Sequence, residues 1–384
     1  MSSTTEALMP RYDGDYMFRG YESLLGGLNA TSPQRQGFRE HEFFDALRNP
    51  NVVTTSLDTL AGPVEVPQLC PIDQYSWLNS EYYKNRFPDD VAAGRIKHFF
   101  EIPGIEPGQA VKNSIVSIGE QNGLIVFDYS ERDDAYMNRF EGMIDALGLE
   151  IESVEEMGTQ TYYAGKCKLN KEKTNGQDEH IHDTFRRMIA DGVLPVEQSS
   201  GATYHELMTQ EQASALYGTY EAAFANLNNH PCRQGIDADE FHEILTKHPD
   251  VIKLVNKFDG EVTTLCLLDD DLSKFEWLNP SFYETEFPNE AADNELIYFP
   301  AIHTNPDLRG VMGAKDIVQL LARMSAYGKH EVVVAFDCCD MNRDSLPNYI
   351  ARLINSTPEL KIDFDVIGTQ IYRAARLRPK NNLF

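Results

Sequence analysis

The chain of 384 residues repeats itself, and no other feature limits its fold more strongly. The segment QYSWLNSEYYKNRFPDD at 74–90 matches KFEWLNPSFYETEFPNE at 274–290 at Trp, Leu, Asn, Tyr, Phe and Pro. Three more pairs keep the same order: RQGFREHEFFDAL (35–47) with RQGIDADEFHEIL (233–245), LIVFD (124–128) with VVAFD (333–337), and GTQTYYAGK (158–166) with GTQIYRAAR (368–376). Matched segments that keep their order over both halves predict a duplicated domain.

The boundary between the two copies lies in KLNKEKTNGQDE, which begins at residue 168 and is rich in charge and poor in apolar residues. Such a composition is typical of a linker. We therefore predict a first domain over 1–168, a linker over 169–201 and a second domain over 202–384. Strand-like and helix-like segments alternate in each half, so each domain is expected to be α/β with a mixed sheet.

Charge and composition exclude several classes of protein. Acidic residues outnumber basic ones by 60 to 34, which gives a formal net charge of −26 at pH 7. Nucleic acids and anionic membranes require a basic face, so we expect neither partner, and any anion site must be a small basic region. The sequence has no membrane-spanning apolar run and no secretory signal pattern. Its six scattered cysteines are typical of a reduced cytoplasmic protein.

One short stretch carries such a basic region. The segment NPDLRGVMGAKDIVQLLARM at 305–324 places Arg309, glycines and Lys315 directly before a helical pattern. The first N–H groups of a helix have no partners within the helix, and glycine lets a phosphate approach the backbone. The stretch is therefore either an anion-binding turn or an ordinary loop that begins a helix. A metal site is not expected, because His180 and His182 have no third ligand nearby.

The order of elements around this turn resembles the GNAT superfamily of acyl-CoA N-acyltransferases. That family binds pyrophosphate with a loop that reads roughly Gln/Arg-x-x-Gly-x-Gly/Ala. Met312 stands where its first glycine belongs, which is a departure from the pattern. A second family feature is an Asn, a small residue three positions later and a Tyr at seven. The residues that occupy the positions of the two features are Arg309, Gly310, Val311, Met312, Gly313, Ala314 and the neighbouring Lys315, and then Asn342, Ser345 and Tyr349.

The resemblance implies two tandem GNAT-like domains, each with a mixed, mostly antiparallel sheet flanked by helices. It also implies transfer of an acyl group from acetyl-CoA or another acyl-CoA to a small-molecule amine. By position, the backbone of Ala301, Ile302 and His303 would bind the thioester. Tyr349 would be the general acid and Asn342 would bind the coenzyme arm. A homodimer is left open.

The general base is less well defined by the sequence. Glu295 and His303 flank the strand that supplies it in the family, and His303 is the first choice because histidine titrates near neutral pH. Glu286 and a water chain without a single base are the alternatives. A covalent acyl-cysteine at Cys338 or Cys339 is disfavoured, because no His/Asp arrangement accompanies these thiols.

The two halves are unequal where the resemblance is strongest. The second half has 38 residues from Pro300 to Asp337, whereas the first has 26 from Pro103 to Asp128 and lacks the glycine turn. The positions that face Asn342, Ser345 and Tyr349 in the first half are Asp133, Tyr136 and Phe140. We therefore expect the second half to bind acyl-CoA and the first to be a degenerate copy that packs against it.

Two other functions remain open at this point. A non-catalytic acyl-CoA sensor or interaction module is favoured by Met312. A relative that takes aminoacyl-tRNA is disfavoured by the negative charge. The repeated Trp-Leu-Asn segment is expected to be structural, because it is present in the half without the glycine turn.

Overall fold

A computed structural model describes residues 14–29, 31–35, 37–59, 62–102, 104–169, 181–191, 201–233, 235–259, 261–275, 277–305, 331–356 and 360–380. Its helices are α1 (Gly14–Asn29), α2 (Glu40–Arg48), α3 (Ser80–Arg86), α4 (Pro88–Ala92), α5 (Gln109–Glu120), α6 (Tyr136–Ala146), α7 (Ile181–Ala190), α8 (Gln210–Phe224), α9 (Ala238–Lys247), α10 (Pro280–Glu286), α11 (Pro288–Ala292) and α12 (Leu346–Asn355). None of the helices in these ranges is both long and apolar enough to cross a membrane.

The strands form one mixed sheet, which confirms the α/β fold class. They are β1 (Val53–Thr59), β2 (Gly62–Cys70), β3 (Ile96–Phe99), β4 (Leu124–Ser130), β5 (Leu149–Leu169), β6 (Gly201–His205), β7 (Ile252–Phe258), β8 (Glu261–Asp269), β9 (Leu296–Thr304), β10 (Glu331–Cys339), β11 (Leu360–Lys361) and β12 (Asp365–Pro379). Their order in the sheet is β1-β2-β3-β4-β12-β5-β10-β9-β8-β7-β6, with β11 beside β5. The described pairs are antiparallel except for β3–β4 and β9–β10, which are parallel.

Local sequence signals account for several of these elements. Thr209 begins α8 with a capping box, because its hydroxyl accepts from the N–H of Gln212 and the Gln212 side chain accepts from the N–H of Thr209. Pro280 and Pro288 begin α10 and α11 at the position where a missing N–H costs nothing. Asp259, at the tight turn between β7 and β8, has a φ of 49°, which aspartate tolerates better than most residues.

The two halves exchange their closing strands. Residues 160–168 of β5, from the first half, pair with β10, while residues 370–376 of β12, from the second half, pair with β4. The two closing strands pair with each other so that Gln160 lies opposite Gln370, its equivalent in the repeat. A pseudo-twofold axis therefore passes between these two glutamines, and the described sheet runs without a break through both sequence repeats.

The Trp-Leu-Asn segment of each half pairs with the loop of the other half that leads into Arg-Gln-Gly. Four backbone hydrogen bonds make these connections: Arg233 N–H to Trp77 O (3.0 Å), Asn79 N–H to Pro231 O (2.9 Å), Arg35 N–H to Trp277 O (2.8 Å) and Asn279 N–H to Pro33 O (3.0 Å). Both repeated motifs thus join the halves, which explains why the half without the glycine turn also carries them.

Candidate active site

The two parallel strands of the second half diverge partway along their length. Leu296, Ile297 and Tyr298 of β9 pair with β10, and no β9 residue beyond Tyr298 does so. Meanwhile β9 stays paired with β8 as far as Thr304, and β10 stays paired with β5 as far as Cys339. The register between β8 and β9 shifts at the same place, next to Pro300, which has no N–H to donate. Among the described residues, the β9 backbone after Tyr298 therefore has no strand partner on the β10 side.

A cavity of about 620 Å³ opens where these strands diverge. This volume lies within the roughly 300–1,000 Å³ of ordinary small-molecule sites. The lining comes from β9, β10, the start of α12 and the segment around Arg233. Two residues of the first half, Ser76 and Trp77, also line it. Both repeats thus contribute to one cavity.

Most of the described residues that the sequence assigned to the site lie around this cavity. They are Ala301, Ile302, His303, Asn342, Ser345 and Tyr349. Glu295 is not among the lining residues; its backbone N–H and C=O bind Glu290 and Val333 at the beginning of β9. The glycine turn, Arg309 to Lys315, lies outside the described residues. The individual roles of all these residues stay predictions.

The start of α12 brings Asn342, Ser345 and Tyr349 together. The carbonyl of Asn342 accepts from the N–H groups of Ser345 (3.1 Å) and Leu346 (3.0 Å), and this turn leads directly into the helix. Tyr349 follows one turn later, and its N–H donates to the carbonyl of Ser345 at 3.0 Å. The side chain of Tyr349 is exposed at 44%, unusually high for so large a ring. A phenol at this position is accessible to a ligand in the cavity.

His303 is buried and neutral. Thr219 Oγ1 donates to the carbonyl of Leu216 (2.8 Å) and lies 3.3 Å from His303 Nε2. Because the Thr219 hydrogen is already used, we assign the imidazole hydrogen to Nε2, which leaves a lone pair on Nδ1. No described residue bonds that Nδ1. Burial lowers the pKa of His303 to about 4, so it is a weaker base than an ordinary histidine.

Asp337, at the end of β10, is a cavity residue that the sequence analysis did not single out. Its carboxylate accepts hydrogen bonds from the Tyr298 hydroxyl and from the Gln160 side chain of the exchanged strand β5. Tyr298 in turn accepts from Trp277 Nε1 at 2.9 Å. The signal was present in the sequence, since Asp337 and Gln160 are repeated as Asp128 and Gln370.

The equivalent cleft in the first half is closed. It encloses about 20 Å³, room for roughly one water molecule. Tyr129 and Tyr136 stack there with ring centres 4.7 Å apart, and Arg139 forms ion pairs with Glu101 (2.6 Å) and Asp133 (2.7 Å). Side chains thus fill the space that a ligand would need.

A cluster beside the open cavity has the composition of a metal site. His230, Cys339 and Asp340 present possible ligand atoms within 4.8 Å of one another. However, His230 Nδ1 accepts from the N–H of Cys232 (3.1 Å), and Nε2 lies 3.1 Å from the carbonyl of Thr159. Both ring nitrogens are therefore already engaged, Nδ1 within the second half and Nε2 with Thr159 of the first half, and we assign the cluster a structural role.

Comparison with known proteins finds similar solved structures but no matching family model or curated protein. A putative GNAT-family acetyltransferase from Novosphingobium aromaticivorans is 10% identical over 75% of this chain and 85% of that one, with a TM-score of 0.28. A GCN5-related N-acetyltransferase-like protein from Streptococcus suis is 12% identical over 95% and 100%, with a TM-score of 0.29.

N-myristoyltransferase from Saccharomyces cerevisiae, solved with bound myristoyl-CoA, is 12% identical over 96% of this chain and 78% of that one, with a TM-score of 0.33. Similarities with TM-scores this low do not transfer an activity from one protein to another.

Proposed function

We propose that this chain is an acyl-CoA-dependent N-acyltransferase whose second half moves an acyl group, acetyl in the simplest case, to a small-molecule amine. The observation that carries the proposal is the divergence of β9 from β10 around a cavity. There, β9 offers backbone groups without β10 partners, and Tyr349 of α12 lines the same cavity. An extended thioester arm could add its hydrogen bonds to β9 in the way that a further strand would.

The reaction makes three demands that these residues could meet. A neutral amine attacks the thioester carbonyl, and the resulting oxyanion requires donors, a role we assign to β9 N–H groups that have no β10 partner. The carbon–sulfur bond then breaks, and the departing thiolate takes a proton from the Tyr349 hydroxyl. The proton released by the amine needs an acceptor, and the low pKa of His303 makes it a poor one.

The first half acts as a wall of the acceptor site in this proposal. Ser76 and Trp77 line the cavity directly, and Gln160 reaches Asp337 from the exchanged strand β5. The formal charge of −26 favours the approach of a cationic acceptor over an anionic one. We therefore place the coenzyme between β9 and α12, and the amine on the side that faces Trp77.

The proposal is tested in two steps with the full chain. Calorimetry first measures the binding of acetyl-CoA and of a longer-chain acyl-CoA. Release of free thiol is then followed over a panel of primary amines. Turnover with any amine supports the proposal. Binding without turnover supports the acyl-CoA sensor instead, and the absence of binding contradicts both.

Replacing Cys338 by alanine is expected to leave turnover within a few-fold of the wild-type rate. Burial raises the pKa of the Cys338 thiol, so the nucleophilic thiolate is scarce at neutral pH. Steady-state kinetics of thiol release checks this, with Cys266→Ala, a buried cysteine outside the cavity lining, as the matched control. Complete loss of turnover in Cys338→Ala alone, with acyl-CoA binding intact, would instead indicate an acyl-cysteine intermediate.

A further inference from the structure

The carboxylate of Asp337 faces the cavity without a cationic partner among the described residues. Its two hydrogen-bond donors, the Tyr298 hydroxyl and the Gln160 amide, are both neutral. Each donates to a different carboxylate oxygen, and a carboxylate has about four acceptor positions. Two of these remain for a ligand. Asp337 is also partly exposed, unlike most residues of the same strand.

The first half provides an internal comparison for this group. Asp128 occupies the equivalent position, and it accepts from His98 Nε2 (2.8 Å) and from Gln370 of the other exchanged strand. Its side chain is only 2% exposed, and the cleft around it is closed. The same scaffold thus holds one carboxylate sealed in the core and one open to a cavity large enough for a substrate.

We propose that Asp337 binds the ammonium group of the acceptor amine and takes the proton that the amine must lose before it attacks. Tyr298 and Gln160 are positioning residues that hold the carboxylate in place. This inference rests on the acyltransferase function proposed above. It also restricts the acceptor to an amine that arrives as a cation, because a partly buried carboxylate with no cationic partner among the described residues favours a positive ligand.

The ammonium transfers one proton to the Asp337 carboxylate, which becomes a neutral carboxyl, and the amine nitrogen gains a free lone pair. The lone pair forms the nitrogen–carbon bond, the carbon–sulfur bond breaks, and the thiolate is protonated by Tyr349. The nitrogen of the tetrahedral intermediate loses its second proton, and this proton restores the Tyr349 hydroxyl. Asp337 then releases its proton to solvent, so the products are amide, free thiol and one proton.

The surroundings of Asp337 suit this role. Burial raises the pKa of its carboxyl, and the hydrogen bonds from Tyr298 and Gln160 partly offset that rise. The titratable groups that face it from β5, α10, β9 and the next residue are Tyr162, Tyr283, Tyr298 and Cys338. Burial raises the pKa of each, so they stay neutral near neutral pH. Asp337 is thus the one group of this set whose pKa burial moves toward neutral pH rather than away from it.

The experiment compares the pH dependence of kcat/KM in wild type and Asp337→Asn, using the best amine from the panel. A general base must be deprotonated, so wild-type kcat/KM should fall as the pH drops through the Asp337 pKa. Asp337→Asn should lose about a hundredfold in kcat/KM and lose this acid limb. Its acetyl-CoA affinity by calorimetry should be unchanged.

Two further variants keep the test decisive. Tyr298→Phe removes a hydrogen bond to the charged carboxylate, which raises the Asp337 pKa and moves the acid limb to higher pH. Asp128→Asn changes the equivalent carboxylate in the closed cleft, so the pH dependence of its kcat/KM should match that of the wild type. If Asp337→Asn does not fold, an unshifted limb in Tyr298→Phe overturns the inference. A wild-type rate and profile in Asp337→Asn overturns it while the acyltransferase function stands, and a wild type that turns over no amine overturns both.

Discussion

Replacing Tyr349 by phenylalanine is expected to lower kcat by at least about a hundredfold, the ordinary contribution of a positioned general acid. The ring stays in place because α12 holds it through its backbone, so the KM for acyl-CoA should change little. What is lost is the hydroxyl that protonates the departing thiolate. Steady-state kinetics of thiol release measures both constants.

The control for this variant comes from the closed cleft. Tyr129 is half-buried there and stacks on Tyr136, and the cleft that it lines, about 20 Å³, is too small for a substrate. Tyr129→Phe should therefore keep the wild-type kcat. An unchanged kcat in Tyr349→Phe would exclude the phenol as the acid, whereas a raised KM with an unchanged kcat would assign it to binding alone.

Replacing Asp128 by alanine is expected to lower the free energy of unfolding by about 2–6 kcal/mol. The substitution removes the acceptor for His98 and for Gln370, both buried, and each donor left without a partner costs about 1–3 kcal/mol. Because Gln370 lies on the exchanged strand β12, the loss of its hydrogen bond weakens the connection between the halves. Urea denaturation measures the change.

Asp145→Ala is the matched control for stability. Its side chain is 73% exposed and forms an ion pair with Lys380, and such surface pairs contribute at most about 1 kcal/mol. The folded fraction of Asp128→Ala should bind acetyl-CoA with wild-type affinity, because the open cavity lies in the other half. A loss of stability no larger than that of Asp145→Ala would show that the buried cluster does not hold the halves together.

The repeat made much of the fold predictable. Matched segments indicated two copies of one α/β unit, and the structure has equivalent parallel pairs, β3–β4 and β9–β10, in the two halves. The exchange of closing strands was not predictable. GTQTY and GTQIY carry nearly the same pattern, so a strand of either sequence suits either sheet, and local preference cannot decide between them.

The sequence predicted the candidate site only where its residues lie close together along the chain. The spacing of Asn342, Ser345 and Tyr349 places them on one helical start, and they do line one cavity. Asp337 was missed because an aspartate that ends an apolar strand is common, and its partner Gln160 belongs to the other half of the sequence. The low pKa of His303 depends on burial under α8, which the sequence does not reveal.

Hydrogen exchange with and without saturating acetyl-CoA tests whether the coenzyme binds in the second-half cleft, because it reports separately on the two clefts. Binding beside β9 should slow exchange over residues 299–305 and 336–349, where backbone N–H groups lie next to the cavity. Residues 99–102 and 128–140, around the closed cleft, should exchange at the same rate in both samples. Slowed exchange in the first-half cleft, with the second half unaffected, would contradict the account.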